Sequence, residues 1–163
     1  MKRLFLVFTI LLCVCLLGCG GQRYNILDYQ DKNINAECVV NDKYKINLIK
    51  SKDKAVIEVQ EPKEAQGISF IIEENTSYAV SGDVKIQMEK KDLGGICAIG
   101  SMFSQNEECL VRATEQGKGS VFIFQNDSCM YQITLGENSV PHHVKITSES
   151  FEYDIEICSI ELN

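Results

Sequence analysis

The sequence predicts an α+β fold in which an antiparallel sheet of about ten strands carries a short helical insert. Two observations lead to this prediction. From Asn33 to Met88, apolar and polar residues alternate with a period of two, as in strands with one buried face. From Asp92 to Phe103 the apolar residues recur at helical spacing, and the alternation then returns. The 163 residues, 45% of them hydrophobic, suffice for one globular domain.

The first half of the predicted sheet is an antiparallel meander of six strands joined by short turns. The segment from Glu61 to Gly67 contains Pro62 and is expected to interrupt the sheet, because proline removes a donor from the strand ladder. Alternate residues mark the apolar face of each strand. These strands run from Ile34 to Val40, Tyr44 to Leu48, Ala55 to Val59, Ile68 to Ile72, Tyr78 to Val80 and Val84 to Met88.

A short helix is expected in the insert, with Asp92 as its N-cap. Three glycines weaken this helix, since an interior glycine costs roughly 1 kcal/mol relative to alanine. A weak helix that carries a flexible methionine suits a movable lid. The apolar residues expected on its inner face are Ile96, Ile99, Met102 and Phe103.

Strands return in the last third of the chain. A second short helical stretch is predicted near Glu107 to Ala113, followed by a loop from Glu115 to Gly119. The remaining predicted strands are Val121 to Phe124, Cys129 to Leu135, His143 to Thr147 and Phe151 to Glu161.

The amino terminus carries the features of an export signal. Lys2 and Arg3 precede an apolar run of 14 residues, which is shorter than the ~20 residues that a membrane-spanning helix needs. The run ends in Leu-Leu-Gly18-Cys19, which resembles the lipobox of bacterial lipoproteins. The resemblance implies cleavage between Gly18 and Cys19 and attachment of a diacylglyceryl group to the Cys19 thiol. The alternative is an ordinary secretory signal with a chance cysteine at its end.

These features divide the chain into three parts. Residues 1–18 are the predicted lipoprotein signal peptide, 19–32 a lipidated flexible tether, and 33–163 a single domain. The expected location is the extracytoplasmic face of a cell membrane, with the acylated Cys19 as the membrane contact. Cleavage leaves 14 cationic against 23 acidic residues, and this net charge of −9 opposes nucleic-acid binding and electrostatic attachment to anionic lipids.

The cysteines do not form a recognisable metal or disulfide pattern. Five of the eight lie beyond Cys19, an odd number that cannot pair completely within one chain, and no two of them have the spacing of a zinc site. Either they are buried thiols or they include one or two disulfides. The five are Cys38, Cys97, Cys109, Cys129 and Cys158.

The order of elements resembles a known family. The break and restart over residues 67–73, the strand over 78–82 and the proline-bearing turn over 136–146 are similar to segments of the lipoprotein-carrier (LolA-like) proteins, particularly small lipoproteins of low-GC Gram-positive bacteria. The resemblance covers most of residues 33–161. It implies a curved half-barrel whose helical insert packs on the concave face, and a non-catalytic protein that holds acyl chains between sheet and helices.

Two functions are compatible with these features. In the first, the insert residues Ile96, Ile99, Met102 and Phe103 line a cavity for a lipid or another apolar ligand. In the second, the same side chains complete a dry core, and the protein is an interaction module of the cell envelope. Apolar residues on the opposite face of three strands, Ile49, Val56 and Ile71, would then contact a partner protein or the membrane.

No catalytic or metal-binding motif accompanies these features. The nucleophile elbow, the zinc-protease helix motif and the phosphate-binding loop do not occur in the sequence, so we expect no catalytic residues and no cofactor. The two histidines, His142 and His143, are adjacent on a predicted strand and therefore point to opposite faces. A surface turn is the favoured interpretation, and a metal site the alternative.

Overall fold

The computed structural model describes residues 26–116, 119–126 and 128–162. Within them, eleven antiparallel strands form one curved, open sheet, a half-barrel, with one short helix. Short 3₁₀ turns lie at Ile26–Tyr29, Lys90–Leu93 and Glu107–Cys109. The strands are β1 Ile34–Val40, β2 Tyr44–Lys50, β3 Lys54–Glu61, β4 Ile68–Glu73, β5 Ser77–Ser81, β6 Val84–Met88, β7 Leu110–Gln116, β8 Gly119–Gln125, β9 Met130–Leu135, β10 Pro141–Thr147 and β11 Glu152–Leu162, and helix α1 is Gly94–Gly100.

The strand order joins two meanders through the first and last strands. The sheet runs β6-β5-β4-β3-β2-β1-β11-β10-β9-β8-β7, so β1 pairs with β11 while β6 and β7 are the two edges. The chain must therefore pass from one edge of the sheet to the other between Met88 and Leu110. This crossing segment carries α1 over the inner, concave face of the half-barrel.

The inner face carries the core. On β1, Ile34, Ala36, Cys38 and Val40 are all buried, as their alternation predicted. Burial of Cys38 raises the pKa of its thiol to about 12, with smaller contributions from Cys158 and Glu37, so this thiol stays neutral.

All five cysteines are free thiols in the structure, and only Cys38 and Cys129 are buried. Cys158 lies within β11 but is exposed, so the interpretation as a buried residue is wrong at this position. Cys158 follows the inward-facing Ile157, so the alternation along β11 places it on the outer face. A β-bulge lies at the same position, since Cys38 pairs with Ile157 and Glu37 with Ser159, and it leaves Cys158 unpaired.

The prediction of a second helical stretch near Glu107 to Ala113 is wrong for most of its length. Only Glu107–Cys109 forms a 3₁₀ turn, in which the Asn106 side chain accepts a hydrogen bond from the Cys109 amide at 3.1 Å. Leu110–Gln116 is instead the edge strand β7, and the predicted loop after it is shorter because β8 begins at Gly119. Pairing with β8 satisfies backbone groups that an isolated helical turn would leave free. The sheet consequently has eleven strands, one more than expected.

The amino-terminal segment joins the core earlier than predicted. In the turn Ile26–Tyr29, Ile26 and Tyr29 are both buried, and the Tyr29 hydroxyl donates to the carbonyl of Ser139 at 3.2 Å. The flexible tether predicted over 19–32 therefore extends too far, because Ile26 and Tyr29 belong to the core. The predicted signal peptide, Gly18 and Cys19 lie outside the described residues.

Lys50 holds this segment in place. Its side chain lies on the inner face and is only 2% exposed. The ammonium group donates to the backbone carbonyls of Gln30 at 2.6 Å, Lys32 at 3.2 Å and Tyr29 at 3.4 Å. Burial lowers the pKa of Lys50, and the nearby carboxylate of Asp31 opposes that shift.

We predict that Lys50→Met lowers the free energy of unfolding by about 1–3 kcal/mol, because the carbonyls of Tyr29, Gln30 and Lys32 lose their common donor while most of the side-chain volume is kept. Urea denaturation measures the change. Lys54→Met, at an exposed position, is the matched control and should stay within about 0.5 kcal/mol of the wild type. Equal effects of the two substitutions would contradict the role given to Lys50.

Candidate functional site

An apolar cavity of about 320 Å³ lies between α1 and the inner face of the sheet. Strands β1 to β4 form its floor, the loop between β3 and β4 closes one side through Ala65, and β11 contributes Tyr153. Among the described residues, none of those that line it is charged. The sheet residues with aliphatic or phenyl side chains around it are Val40, Ile46, Ile57, Val59, Ile68 and Phe70.

The structure separates the four predicted cavity residues into two pairs. Ile96 and Ile99 lie on α1 and line the cavity. Met102 and Phe103 follow the end of the helix and do not line it, being 0% and 2% exposed in the core. The Phe103 ring stacks on Tyr29 with 6.2 Å between ring centroids, so Phe103 packs against the amino-terminal turn.

The glycines of α1 allow close packing. A β-carbon at Gly95 would lie 2.7 Å from Cε2 of Tyr153, and one at Gly100 would lie 2.6 Å from Cδ1 of Ile72 and 3.3 Å from Cβ of Ala55. Both distances to the larger side chains are shorter than real contacts of this kind. Gly95 and Gly100 thus let the helix backbone lie close against the sheet. Their low helix propensity alone did not indicate this packing role.

The predicted N-cap is wrong. Asp92 lies in the 3₁₀ turn Lys90–Leu93, and the residue before α1 is Leu93, whose side chain makes no capping hydrogen bond. Side-chain hydrogen bonds are instead found at the carboxyl end of α1. The Ser101 hydroxyl lies 3.0 Å from the hydroxyl of Tyr131 on β9, and the Gln105 amide donates to the Ser101 carbonyl at 2.8 Å. These contacts fasten α1 at its carboxyl end.

The apolar surface continues past the cavity to the edge of the sheet. Phe70 pairs with Ala79, and Ala79 pairs with Ile86, so these three residues form a row across the inner face of β4, β5 and β6. At the edge, Val84 is 59% and Ile86 58% exposed. The apolar inner face therefore extends from Phe70 to the edge strand β6.

The polar groups at the cavity are two tyrosines. Burial raises the pKa of Tyr153, so its phenol is neutral over the physiological range. The ammonium of Lys43 lies 4.9 Å from the centroid of the Tyr44 ring, which places one cation beside the cavity without placing it inside. These groups offer hydrogen bonds to a ligand head group, whereas the remaining lining suits hydrocarbon.

The histidines lie away from the cavity. The His143 Nε2 and an oxygen of Asp154 are 2.7 Å apart on the face opposite α1, and His142 is exposed. Among the residues that the structure describes, no three metal-binding side chains come together. In the same part of the chain, no helix is long and apolar enough to cross a membrane.

Sequence reasoning missed the strand residues of the cavity and missed Lys50. The alternation along the strands could have identified the cavity residues, since Val40, Ile46 and Ile57 all lie on predicted apolar faces. The same phase places Lys50 inward, two residues after Leu48. A charged residue at an inward position indicates a buried partner, although the alternation does not identify it.

Comparisons with known proteins bear on the fold alone. No protein-family model and no curated protein sequence matches the chain. Among solved structures, an uncharacterized conserved protein from Thermus thermophilus superimposes with a TM-score of 0.52 at 10% sequence identity, covering 85% of each chain. This similarity supports a shared fold at a sequence identity too low to carry function.

Two further solved structures are similar at lower scores. A LolA superfamily protein from Nitrosomonas europaea gives a TM-score of 0.41 at 9% identity, with 85% of this chain and 92% of that chain covered. A domain assigned to outer membrane lipoprotein sorting, from Vibrio parahaemolyticus, gives 0.44 at 9% identity, with 83% and 86% covered. TM-scores below 0.5 do not by themselves establish a common fold.

We predict that Gly95→Ala destabilises the protein although alanine favours helix, because its methyl group would strike the Tyr153 ring. Gly94→Ala is the matched control, since its methyl group would meet only Phe151 at 3.8 Å, an ordinary contact. Denaturation of both variants in wild-type and Tyr153→Ala backgrounds measures the coupling. We expect about 0.5–3 kcal/mol of coupling for Gly95. Additive effects of Gly95→Ala and Tyr153→Ala would refute this account of the close approach.

Proposed function

We propose that this protein is a membrane-anchored, non-catalytic lipoprotein that binds a lipid or similar apolar ligand between α1 and the curved sheet. The observation that carries the proposal is the cavity lined by Ile96, Ile99 and the inner residues of β1 to β4, without a charged side chain. A cavity of this kind favours hydrocarbon, because each methylene group removed from water contributes about 0.8 kcal/mol.

The ligand we propose is an acyl chain. The cavity of about 320 Å³ is too small to enclose a whole membrane lipid, but the row from its lining residue Phe70 through Ala79 leads to the exposed Ile86 at the sheet edge. A chain could enter at that edge and lie along the inner face. The tyrosine hydroxyls and Lys43 beside the cavity would then meet the polar end of the molecule.

The proposed anchor is Cys19, acylated after cleavage at Gly18. Stable anchoring requires two membrane signals, and a diacyl group supplies both through its two chains. The acidic charge of the mature chain gives no electrostatic help, so the lipid must hold the protein. Because Ile26 already belongs to the core, few residues separate the anchor from the domain, and the binding site would work close to the extracytoplasmic membrane surface.

A second function is favoured by a separate observation. Ile49 pairs with Val56 and Val56 with Ile71, so these three residues form a row across the outer face of β2, β3 and β4. Ile49 is 40% exposed. This row gives the alternative, an envelope interaction module, a defined surface on which a partner protein could dock.

To test the ligand, a soluble form beginning at Gly20 is titrated with a fluorescent fatty acid and analysed by native mass spectrometry. We predict binding of one or a few acyl chains, and a loss of at least about tenfold in affinity for Ile96→Asp, because a charge in an apolar cavity is costly. Val111→Asp, at an exposed position on the far edge strand β7, is the matched control. Failure of the wild type to bind, with its fold intact, would favour the interaction module.

To test the anchor, membrane and soluble fractions are compared after expression with the native signal. Cys19→Ser is expected to abolish acylation and release the protein from membranes. Cys15→Ser, within the apolar run, is the control and should leave the protein in the membrane fraction. Retention of the Cys19→Ser protein in membranes would show that something other than a lipid on this residue holds it.

A further inference from the structure

Strand β6 is an edge of the sheet that has a neighbouring strand on one side only. It pairs with β5 in unbroken register from Val84 to Met88, and no other strand of the described residues lies beside it. Its backbone N–H and C=O groups on the open side are therefore free to pair with a further strand. Val84 and Ile86 on its inner face are 59% and 58% exposed. A regular, apolar edge of this kind favours the addition of a strand.

The opposite edge, β7, is less suited to such pairing. A β-bulge leaves Val111 unpaired, and a bulge disturbs the backbone spacing that a further strand would need. The two charged residues that follow it, Arg112 and Glu115, are three positions apart and so point to opposite faces of the strand. They cannot meet each other across a pair of β7 strands. Of the two edges, β6 is the one open to a partner.

Symmetry restricts how β6 can pair with a second copy of itself. A two-fold axis perpendicular to the sheet relates the two antiparallel strands, so each residue lies opposite one that points to the same face. On the outer face of β6, Lys85 and Gln87 are followed by Glu89, whose φ of −77° and ψ of 142° continue the extended backbone. Lys85 can therefore lie opposite Lys85, Gln87 or Glu89 of the second copy.

Only one of these registers is complementary in charge. With Lys85 opposite itself, two like charges meet, which is unfavourable between neighbouring strands. With Lys85 opposite Gln87, no ion pair forms. With Lys85 opposite Glu89, the axis passes beside Gln87 and the symmetry forms the ion pair twice. On the inner face of the same register, Ile86 lies opposite Met88, again twice, so apolar residues also match.

The charged groups of this register are accessible. The Lys85 ammonium lies 3.8 Å from the centroid of the Tyr78 ring on the outer face, and Lys85 is exposed. Glu89 pairs with Lys91 at 2.6 Å, with both side chains exposed, so this contact does not withdraw the carboxylate from solvent. Helix α1 packs over β3 and β4, away from the edge. The described chain thus leaves room for a second strand beside β6.

We propose that two copies of this protein associate through antiparallel pairing of their β6 strands, with Lys85 of each copy opposite Glu89 of the other. Backbone hydrogen bonds across the new edge supply the attraction, and the charges select the register. The sheet then continues from one copy into the next. On the inner face, the row of Phe70, Ala79 and Ile86 continues into Met88 of the second copy. This interface goes beyond the proposed ligand and does not require it.

Sedimentation equilibrium of the soluble protein from Gly20 onward, at tens to hundreds of micromolar, tests the proposal. We expect a monomer–dimer equilibrium. Lys85→Glu and Glu89→Lys should each weaken dimerisation by about tenfold or more, because two ion pairs become two repulsive contacts. The double variant should restore it, and circular dichroism checks that each variant folds. Glu107→Lys makes the same charge change at an exposed position beside β7 and is the matched control. A monomeric wild type, or a double variant as weak as the single ones, would overturn the proposal.

Amide hydrogen exchange locates the interface without any substitution. Raising the protein concentration should slow exchange in Val84–Met88 and leave exchange in Leu110–Gln116 unchanged, because only β6 gains backbone partners. Slower exchange in β7 alone, or no change in β6 on dimerisation, would contradict the assignment. Both measurements are made without an acyl ligand and without the lipid anchor. Their outcome is therefore independent of the proposed function.

Discussion

The pairing of β1 with β11 is the constraint on which the rest of the structure depends. It joins the meander β1 to β6 and the meander β7 to β11 into one sheet, with β6 and β7 as its distant edges. The chain between these edges has no short path around the sheet. It crosses the concave face, and this crossing places α1 over the apolar cavity.

The helix exists through its tertiary contacts. At seven residues, three of them glycine, α1 would not be stable alone in water. Close approach to Tyr153 and Ile72 at the two glycine positions, and the hydroxyl contact between Ser101 and Tyr131, hold it on the sheet.

The same pair of strands also shapes the outer face. The bulge between β1 and β11 leaves Cys158 unpaired and exposed on the outer face, while the inward residues of β1 form part of the core. One sheet thus presents an apolar inner face beneath α1 and an outer face on which charged residues such as Glu37 and Lys45 adjoin the apolar row of Ile49, Val56 and Ile71. Alternation along each strand is sufficient to separate them, because successive side chains point to opposite faces.

The alternation of residues determined most of the strands, their inward faces and the place of the helical insert, since one buried face imposes a period of two. It failed for β7, whose exposed residues at the sheet edge lack that period. The alternation puts Lys50 in phase with the inward residues of β2, but it does not identify the backbone carbonyls, some twenty residues earlier in the chain, to which Lys50 donates. Only the tertiary structure decided that Ile96 and Ile99 line a cavity while Met102 and Phe103 complete the core. Helical spacing states which residues share a face, whereas the distance between that face and the sheet depends on long-range pairing that local sequence does not encode.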